Sequence, residues 1–275
     1  MTTTPRLSFR FLVSLPLCID WKHNFTGSGF RTPGKQACER AWISGGGLRV
    51  AFDLVIFDCD GVLVDSEVIS CRAHAETLTR HGYPITADQV LRRFLGVSDR
   101  EARLMVESET GRRLPEDFEA QIKVAALRFY ADELRPIAYV AEAIEAIGLP
   151  RCVASSGTPE KIHDGLTCAG LYDLLAPNIF SATQVKRGKP APDLFLFAAG
   201  RMAVPPARCL VIEDSVAGVT GARAAGMTVL GFHGGSHCGA GHAETLRAAG
   251  AARTFDDMRQ LPMLVALKSA VQMAD

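Results

Sequence analysis

The spacing of hydrophobic and polar residues divides the chain into strand-like and helix-like stretches. Residues Ala51 to Asp58 form a short apolar run that ends in an acid, which is typical of a buried parallel strand whose carboxyl end lies at a site. From Ser66 the apolar spacing changes to that of one helical face, which stops at Gly82. The apolar residues of that face are Val68, Cys71, Ala75 and Leu78.

Residues 67–147 read as consecutive helices with no strand between them. Two capping-box patterns, Thr86 with Gln89 and Ser98 with Glu101, mark helix starts in this region. Helical periodicity without strand signals predicts a separate helical module here.

After Gly148 the pattern alternates between strands and helices. The predicted strands are 151–154, 178–180, 209–212 and 227–231, and the predicted helices are 159–168, 192–202 and 216–225. Such alternation predicts a Rossmann-like α/β core, a parallel sheet with helices on both faces that binds ligands beyond the carboxyl ends of its strands. We expect this core to comprise 51–66 and 148–270, with 67–147 inserted as a helical cap domain.

The first 50 residues differ in composition from the rest. Residues 1–50 hold both tryptophans and many basic residues, but only Asp20 and Glu39 as acids, and the run Gly45–Gly47 reads as a break before the first strand. We expect a leader that is not part of the fold. A targeting peptide is the alternative, but no clear small-residue cleavage site follows the apolar stretch.

The charge balance and the cysteine pattern indicate which binding partners and which cellular compartment to expect. Lys+Arg and Asp+Glu both count 30, so the net charge of +0 gives no field to attract nucleic acid or an anionic membrane. No apolar run approaches the roughly 20 residues that a bilayer span needs. The 8 cysteines are scattered without a C-x-x-C pair, which suits a reducing cytoplasm. We expect a cytoplasmic monomer or weak homodimer.

The strongest chemical signal follows the first strand. Asp58 and Asp60 are two residues apart at the strand end, just before Gly61, which lets the backbone turn. Two carboxylates this close resist joint ionisation unless a cation or a proton neutralises them. A lone D-x-D is equally compatible with an acidic turn on a solvated loop. The choice between a functional site and such a turn therefore depends on the remaining segments.

Three later segments bring further polar groups to the same edge of the predicted sheet. Ser155 and Ser156 follow the second strand ahead of a helix, where hydroxyls and backbone N–H groups can hold an oxyanion. Lys189 precedes a proline, which keeps it on a loop. Glu213 and Asp214 end another apolar strand. Carboxylate ligands without histidine or thiolate favour a hard cation, and Mg²⁺ also shares phosphate oxygens.

These residues resemble the motifs of the haloacid dehalogenase superfamily. The resemblance covers Phe52 to about Leu264 and rests on four ordered motifs. They are D-x-D-G-V-L-V-D-S from Asp58, Ser155, Lys189-Pro190 and Glu213-Asp214. The resemblance implies a Mg²⁺-dependent phosphatase with a helical cap that closes over a small phosphorylated metabolite.

The resemblance also implies a role for each matching residue. Asp58 would be the nucleophile and Asp60 the general acid and base. The groups that would bind phosphate are Ser155, Ser156, Lys189 and Gly61. The groups that would bind Mg²⁺ are Asp58, the backbone carbonyl of Asp60, Asp214 and Glu213, the last directly or through water.

Within the superfamily, the chain is most similar to the capped subgroup of sugar-phosphate and 6-phosphogluconate phosphatases. β-Phosphoglucomutase is the alternative, but this chain has Ser70 and Asp99 where that mutase carries a histidine and a basic residue. Arg100, next to the second of these positions, is the cap residue that we expect to recognise the substrate. A signalling receiver domain, which shares acids, a lysine and Mg²⁺, is disfavoured because it has no helical insertion after its first strand.

A glycine-rich stretch late in the chain carries four residues with metal-binding side chains. They are His233, His237, Cys238 and His242. Zinc is one interpretation of this composition, but the spacing is looser than that of usual zinc ligand pairs. We expect instead a loop near the rim of the active site.

Overall fold

Six parallel strands form the centre of the protein. The computed structural model describes residues 52–271 apart from residues 95, 96 and 98, so the predicted leader at 1–50 lies outside the described residues. The order across the sheet is β3-β2-β1-β4-β5-β6. The strands are β1 Leu54–Phe57, β2 Arg151–Ser155, β3 Ile179–Ser181, β4 Cys209–Glu213, β5 Thr228–Phe232 and β6 Arg253–Phe255.

Helices connect the strands, and a run of consecutive helices lies between β1 and β2. They are α1 Glu67–Arg80, α2 Ala87–Phe94, α3 Asp99–Thr110, α4 Phe118–Glu133, α5 Val140–Ile147, α6 Pro159–Cys168, α7 Tyr172–Leu175, α8 Asp193–Arg201, α9 Val216–Ala224, α10 His242–Ala248 and α11 Leu261–Val271. Short 3₁₀ turns occupy Ala182–Gln184, Pro206–Arg208 and Met258–Gln260. The predicted Rossmann-like α/β class with a helical insertion is confirmed.

The central strand is apolar on both sides because both faces of the sheet are covered. Val55 and Phe57 belong to one hydrophobic cluster, whereas Leu54 and Ile56 belong to the other. All four are 0% exposed, as expected when alternate side chains of a parallel strand enter two separate cores.

The helical insertion leaves and rejoins the sheet at neighbouring points. The N–H of Asp65 donates to the carbonyl of Arg135 at 3.0 Å, and the N–H of Ile137 donates to the carbonyl of Leu63 at 2.9 Å. Within the insertion, α1 packs against α2 and α4. Helix α5, which the sequence assigned to the inserted stretch, packs instead against α11 and the turn Met258–Gln260.

Local sequence signals agree with most of these elements. The Thr86–Gln89 capping box forms in both directions, at 3.2 and 2.8 Å, whereas the second predicted box includes Ser98, which lies outside the described residues. Of the four apolar residues assigned to one face of α1, Cys71, Ala75 and Leu78 are buried, whereas Val68 is 36% exposed. None of the helices within the described ranges combines the length and the apolarity of a membrane span.

Candidate active site

Three buried carboxylates meet where β1 and β4 end. Phe57 pairs with Ile212 in the sheet register, so the next residues, Asp58 and Glu213, leave the two strands at the same level. Asp58, Glu213 and Asp214 are 8%, 0% and 4% exposed. One oxygen from each lies within 4.8 Å of the others. The predicted convergence of acids from two strand ends is therefore present.

Lys189 supplies positive charge to this cluster. Its Nζ donates to Asp58 Oδ1 at 2.6 Å and to Glu213 Oε1, and its side chain is only 5% exposed. Burial raises the pKa of Asp58 well above its ordinary value, and the charge of Glu213 adds to this, while Lys189 offsets only part. One lysine does not neutralise three buried carboxylates.

Glu213 is fixed in place by the start of α9. Its Oε2 accepts hydrogen bonds from the N–H groups of Asp214 and Ser215 at 3.1 Å, and from the Ser215 hydroxyl at 3.0 Å. A Cβ at Gly218 would lie 1.8 Å from Glu213 Oε1. Glycine at this position therefore gives the carboxylate its space beside the helix.

Asp60 lies beside the cluster with its own partners. Its carboxylate accepts from the Ser66 hydroxyl at 2.5 Å and from Lys161 Nζ at 3.2 Å. Burial acts to raise the pKa of Asp60, but the charge of Lys161 and the Ser66 hydrogen bond outweigh it and hold the pKa below its ordinary value. The environments of Asp58 and Asp60 thus push their two pKa values apart and, without a cation at the cluster, leave Asp60 the more readily ionised of the two.

Gly61 brings the loop after β1 close to the chain that follows β4. Its φ of +77° is in the left-handed region that favours glycine. A Cβ there would lie 2.0 Å from Asp214 Oδ2. Both the conformation and the close approach require glycine at this point.

The glycine-rich loop after β5 lies against Asp214. His237 Nε2 is 2.9 Å from Asp214 Oδ2, and His242 Nε2 is 2.6 Å from the backbone carbonyl of Asp214. Burial opposes a charged imidazole, but Asp214 and Cys238 outweigh it and raise the pKa of His237 to about 11. The loop thus lies next to the acidic cluster, in line with the expected rim position.

The remaining predicted residues differ in how close they come to the acids. Ser155 ends β2, the strand beside β1, and is 1% exposed, with its Oγ accepting from the N–H of Gly157 at 3.0 Å. Ser156 follows and is exposed. Arg100 is exposed in α3, and no contact among the described residues joins it to Asp58 or Asp60.

Sequence reasoning missed two partners of the acids. Lys161 lies in the first turn of α6, three residues after the helix N-cap Thr158. Because α6 begins at the end of a strand of the site, this position is the sequence feature that could have identified the lysine. The sequence shows His237 only as a member of a histidine-rich stretch, because its approach to Asp214 depends on the path of a long loop.

The donor set of the cluster fits a hard divalent cation. The ligand atoms available from Asp58, Glu213 and Asp214 are carboxylate oxygens with no thiolate among them. Burial and the repulsion between the carboxylates together raise the pKa of Asp58, and a bound cation relieves both.

The fold and this site define a hydrolase class. A family model described as haloacid dehalogenase-like hydrolase matches residues 52–226. The chain therefore belongs to the haloacid dehalogenase-like hydrolase family. Within it, the enzyme class is that of the phosphatases, as the named relatives below support.

Three relatives illustrate the similarity. The 6-phosphogluconate phosphatase of Escherichia coli (strain K12) is 32% identical over 213 residues, 77% of this chain and 94% of the relative. A haloacid dehalogenase-like protein from Agrobacterium tumefaciens strain C58 is 40% identical with a TM-score of 0.71, covering 79% of this chain and 99% of that structure. A Thermotoga maritima structure named for β-phosphoglucomutase is 27% identical with a TM-score of 0.62, covering 80% and 100%.

Proposed function

We propose that this protein is a Mg²⁺-dependent phosphatase that hydrolyses phosphate monoesters of small metabolites, of the sugar-phosphate or 6-phosphogluconate class, through an aspartyl phosphate on Asp58. One observation carries the proposal. Asp58 is buried at a strand end beside Lys189, while Asp60, two residues on, is held by a different set of partners. The two carboxylates therefore lie in different environments, which supports different roles for them in the reaction.

In the first step, an oxygen of Asp58 attacks phosphorus in line, and the bond from phosphorus to the leaving oxygen breaks. Asp60 in its acid form gives its proton to that oxygen, so the alcohol leaves neutral. In the second step, the Asp60 carboxylate takes a proton from water as the water oxygen attacks phosphorus. Phosphate leaves, and Asp58 returns as a carboxylate.

The phosphoryl oxygens need fixed donors throughout both steps. Lys189 is 2.6 Å from Asp58, so its ammonium would lie beside a phosphoryl group attached there. The N–H of Gly61 already donates to the carbonyl of Val64 at 2.8 Å, so Ser155 and the backbone N–H of Ser156 would supply the other hydrogen bonds. These donors are in place before the reaction, so little reorganisation is required as charge develops.

The metal would be held by Asp58, the backbone carbonyl of Asp60 and Asp214. Both oxygens of Glu213 already accept hydrogen bonds, so we assign Glu213 to contact through water and to the positioning of Lys189. When bound, Mg²⁺ would supply the charge that keeps buried Asp58 anionic and balances the phosphoryl oxygens.

The substrate class is proposed from the subgroup motifs and from the E. coli relative named for 6-phosphogluconate. The helices α1–α4 would close over the bound ester and exclude bulk water. Arg100 on α3 would then grip a carboxylate or hydroxyls of the substrate remote from phosphorus. The six described cysteines are all free thiols, which supports our proposal of a cytoplasmic enzyme.

Phosphoryl transfer by a β-phosphoglucomutase-like enzyme is the second candidate, because a structure named for that mutase shares the fold at 27% identity. Ser70 and Asp99 weigh against it, since they lack the imidazole and the basic group that the resemblance associates with the mutase. Incubation with a hexose 1-phosphate distinguishes the two. Release of inorganic phosphate supports the phosphatase, and net formation of the 6-phosphate isomer supports the mutase.

The decisive experiment is phosphate release from a panel of phosphorylated metabolites with Mg²⁺, followed by variants on the best substrate. For Asp58→Asn we expect kcat to fall at least about 1,000-fold, on the order of 4 kcal/mol in barrier. Asp60→Asn should retain substrate binding while slowing both chemical steps. The partly exposed Asp164→Asn is the matched control. Near wild-type turnover by Asp58→Asn would overturn the assignment.

A further inference from the structure

The proposed phosphatase chemistry leaves one cluster of ligating side chains unused. His237, Cys238 and His242 each offer one nitrogen or sulfur atom, and these atoms all lie within 4.8 Å of one another. His237 is 6% exposed, and the other two are partly buried. The cluster is distinct from the carboxylate site because its donors are two imidazoles and a sulfur.

The separations suit a single tetrahedral ion. Zinc binds sulfur at about 2.3 Å and imidazole nitrogen at about 2.0–2.1 Å, so two ligand atoms on one ion are roughly 3.3–3.8 Å apart. Cys238 Sγ lies 3.3 Å from His237 Nε2. All three ligand atoms lie within 4.8 Å of one another, so the third ligand joins with a contraction of at most about 1.5 Å.

His242 is already oriented as a ligand. Its Nε2 lies 2.6 Å from the carbonyl of Asp214, and a carbonyl can only accept, so Nε2 carries the proton. The lone pair is therefore on Nδ1. A ligating histidine usually donates its second ring N–H to a backbone carbonyl or carboxylate in this way.

His237 occupies a slot that the backbone shapes around its ring. A Cβ on Gly61 or on Gly235 would come within 2.8 Å of the imidazole. Its Nε2 faces both Asp214 and Cys238. Its Nδ1 is buried and has no hydrogen-bond partner in the described part of the chain. The protein thus holds His237 Nε2 toward the sulfur and leaves the opposite ring nitrogen unsatisfied.

We propose that Cys238 Sγ, His237 Nε2 and His242 Nδ1 form a second metal site for a borderline divalent ion of the Zn²⁺ type, with water as the fourth ligand. Thiolate and imidazole select such an ion over Mg²⁺, which prefers oxygen. Binding releases the protons of the Cys238 thiol and of His237 Nε2 to solvent, and it replaces the contact of His237 with Asp214. The inference goes beyond the proposed phosphatase activity and stands independently of it.

The test is a Co²⁺ titration of the full chain, under reducing conditions with saturating Mg²⁺. We expect one equivalent to produce a near-ultraviolet thiolate-to-cobalt charge-transfer band, which Zn²⁺ removes by displacement. Cys238→Ser should abolish the band, whereas the exposed Cys168→Ser should leave it unchanged. His242→Gln should weaken Zn²⁺ binding at least tenfold in competition with a chromogenic chelator.

Each other outcome would overturn the site. They are no band in the wild type, a band that survives Cys238→Ser, and Zn²⁺ affinity that is insensitive to His242→Gln. Circular dichroism of both variants, matched to wild type, ensures that a lost signal reports the ligand and not the fold. Because the readout is spectroscopic, failure of the phosphatase assignment would not affect it.

Discussion

Lys161 Nζ lies 3.2 Å from Asp60 Oδ2, although 101 positions separate the two residues. The pair forms because α6 begins where β2 ends, and β2 lies beside β1, the strand that precedes Asp60. The lysine therefore affects the protonation of the proposed acid–base group from a different element.

Replacement of Lys161 by methionine should raise the pKa of Asp60. The charge of Lys161 is the largest influence that lowers this pKa, so the acid form would persist to higher pH without it. Because the first step needs that acid form, we expect the alkaline limb of the kcat/KM profile to move upward. An unchanged profile would contradict a positioning role, and the exposed Lys186→Met is the control.

Replacement of Lys189 by methionine should destabilise the protein most when no metal is present. It leaves Asp58 and Glu213 buried without their cation, and breaking such a pair costs about 3–5 kcal/mol. We expect urea unfolding in EDTA to show this decrease in the free energy of unfolding. In Mg²⁺ we expect part of the decrease to be recovered. Equal losses with and without Mg²⁺ would argue against a cation site at these carboxylates.

Gly218→Ala and Gly200→Ala form a matched pair of helix substitutions. The new Cβ at Gly218 would overlap the Glu213 carboxylate, whereas nothing lies within 4 Å at Gly200. Overpacking should cost Gly218→Ala about 1–3 kcal/mol and lower turnover through displaced Glu213. Gly200→Ala should gain up to about 1 kcal/mol. Thermal unfolding of both variants measures the two changes in stability. Similar changes for Gly218→Ala and Gly200→Ala would refute the prediction.

His237→Gln should change the pH dependence of stability in EDTA. The folded pKa of His237 is about 11, above the ordinary value of 6.5, so its stabilisation is complete below about pH 6.5 and is lost as pH rises toward 11. We expect the variant to be less stable by about 1.5–3 kcal/mol at pH 6, with a smaller gap at pH 10. The exposed His163→Gln is the control, and a gap that grows with pH would reverse the assignment.

Arg100→Ala should affect a large substrate more than a small one. If Arg100 grips groups remote from phosphorus, kcat/KM on the best metabolite should drop roughly 10 to 100-fold, about 1.4 to 2.7 kcal/mol. p-Nitrophenyl phosphate should be little affected. Arg92→Ala, on an exposed position of α2, is the comparison. Equal losses on both substrates would indicate a closure or folding defect instead.

The sequence predicted the central part of the fold because its strands are strongly apolar and end in distinctive residues. The run before Glu213 and the run before Asp58 each predict a buried strand with an acid at its carboxyl end, and the structure places both acids together. Helix α6 was predicted at its observed bounds, since Thr158 caps it and Pro159 opens it.

The features that sequence reasoning did not predict either have weak local signals or depend on tertiary packing. Strand β6 has only three residues, Arg253–Phe255, too few for a period to emerge. Helix α5 has the helical pattern that was predicted, but only tertiary packing places it against α11. The pairs Lys161–Asp60 and His237–Asp214 join distant parts of the chain, and no local pattern encodes such contacts.

The hydrogen-bonded crossing of Leu63–Asp65 with Arg135–Ile137 makes the two ends of the segment that holds helices α1–α4 neighbours in space. The segment that contains α1–α4 starts and ends at adjacent points in space. A short turn could therefore join its two ends without changing the order of any strand in the sheet. The segment that would choose the substrate is therefore exchangeable as a unit, while the strand ends that carry the acids keep their register.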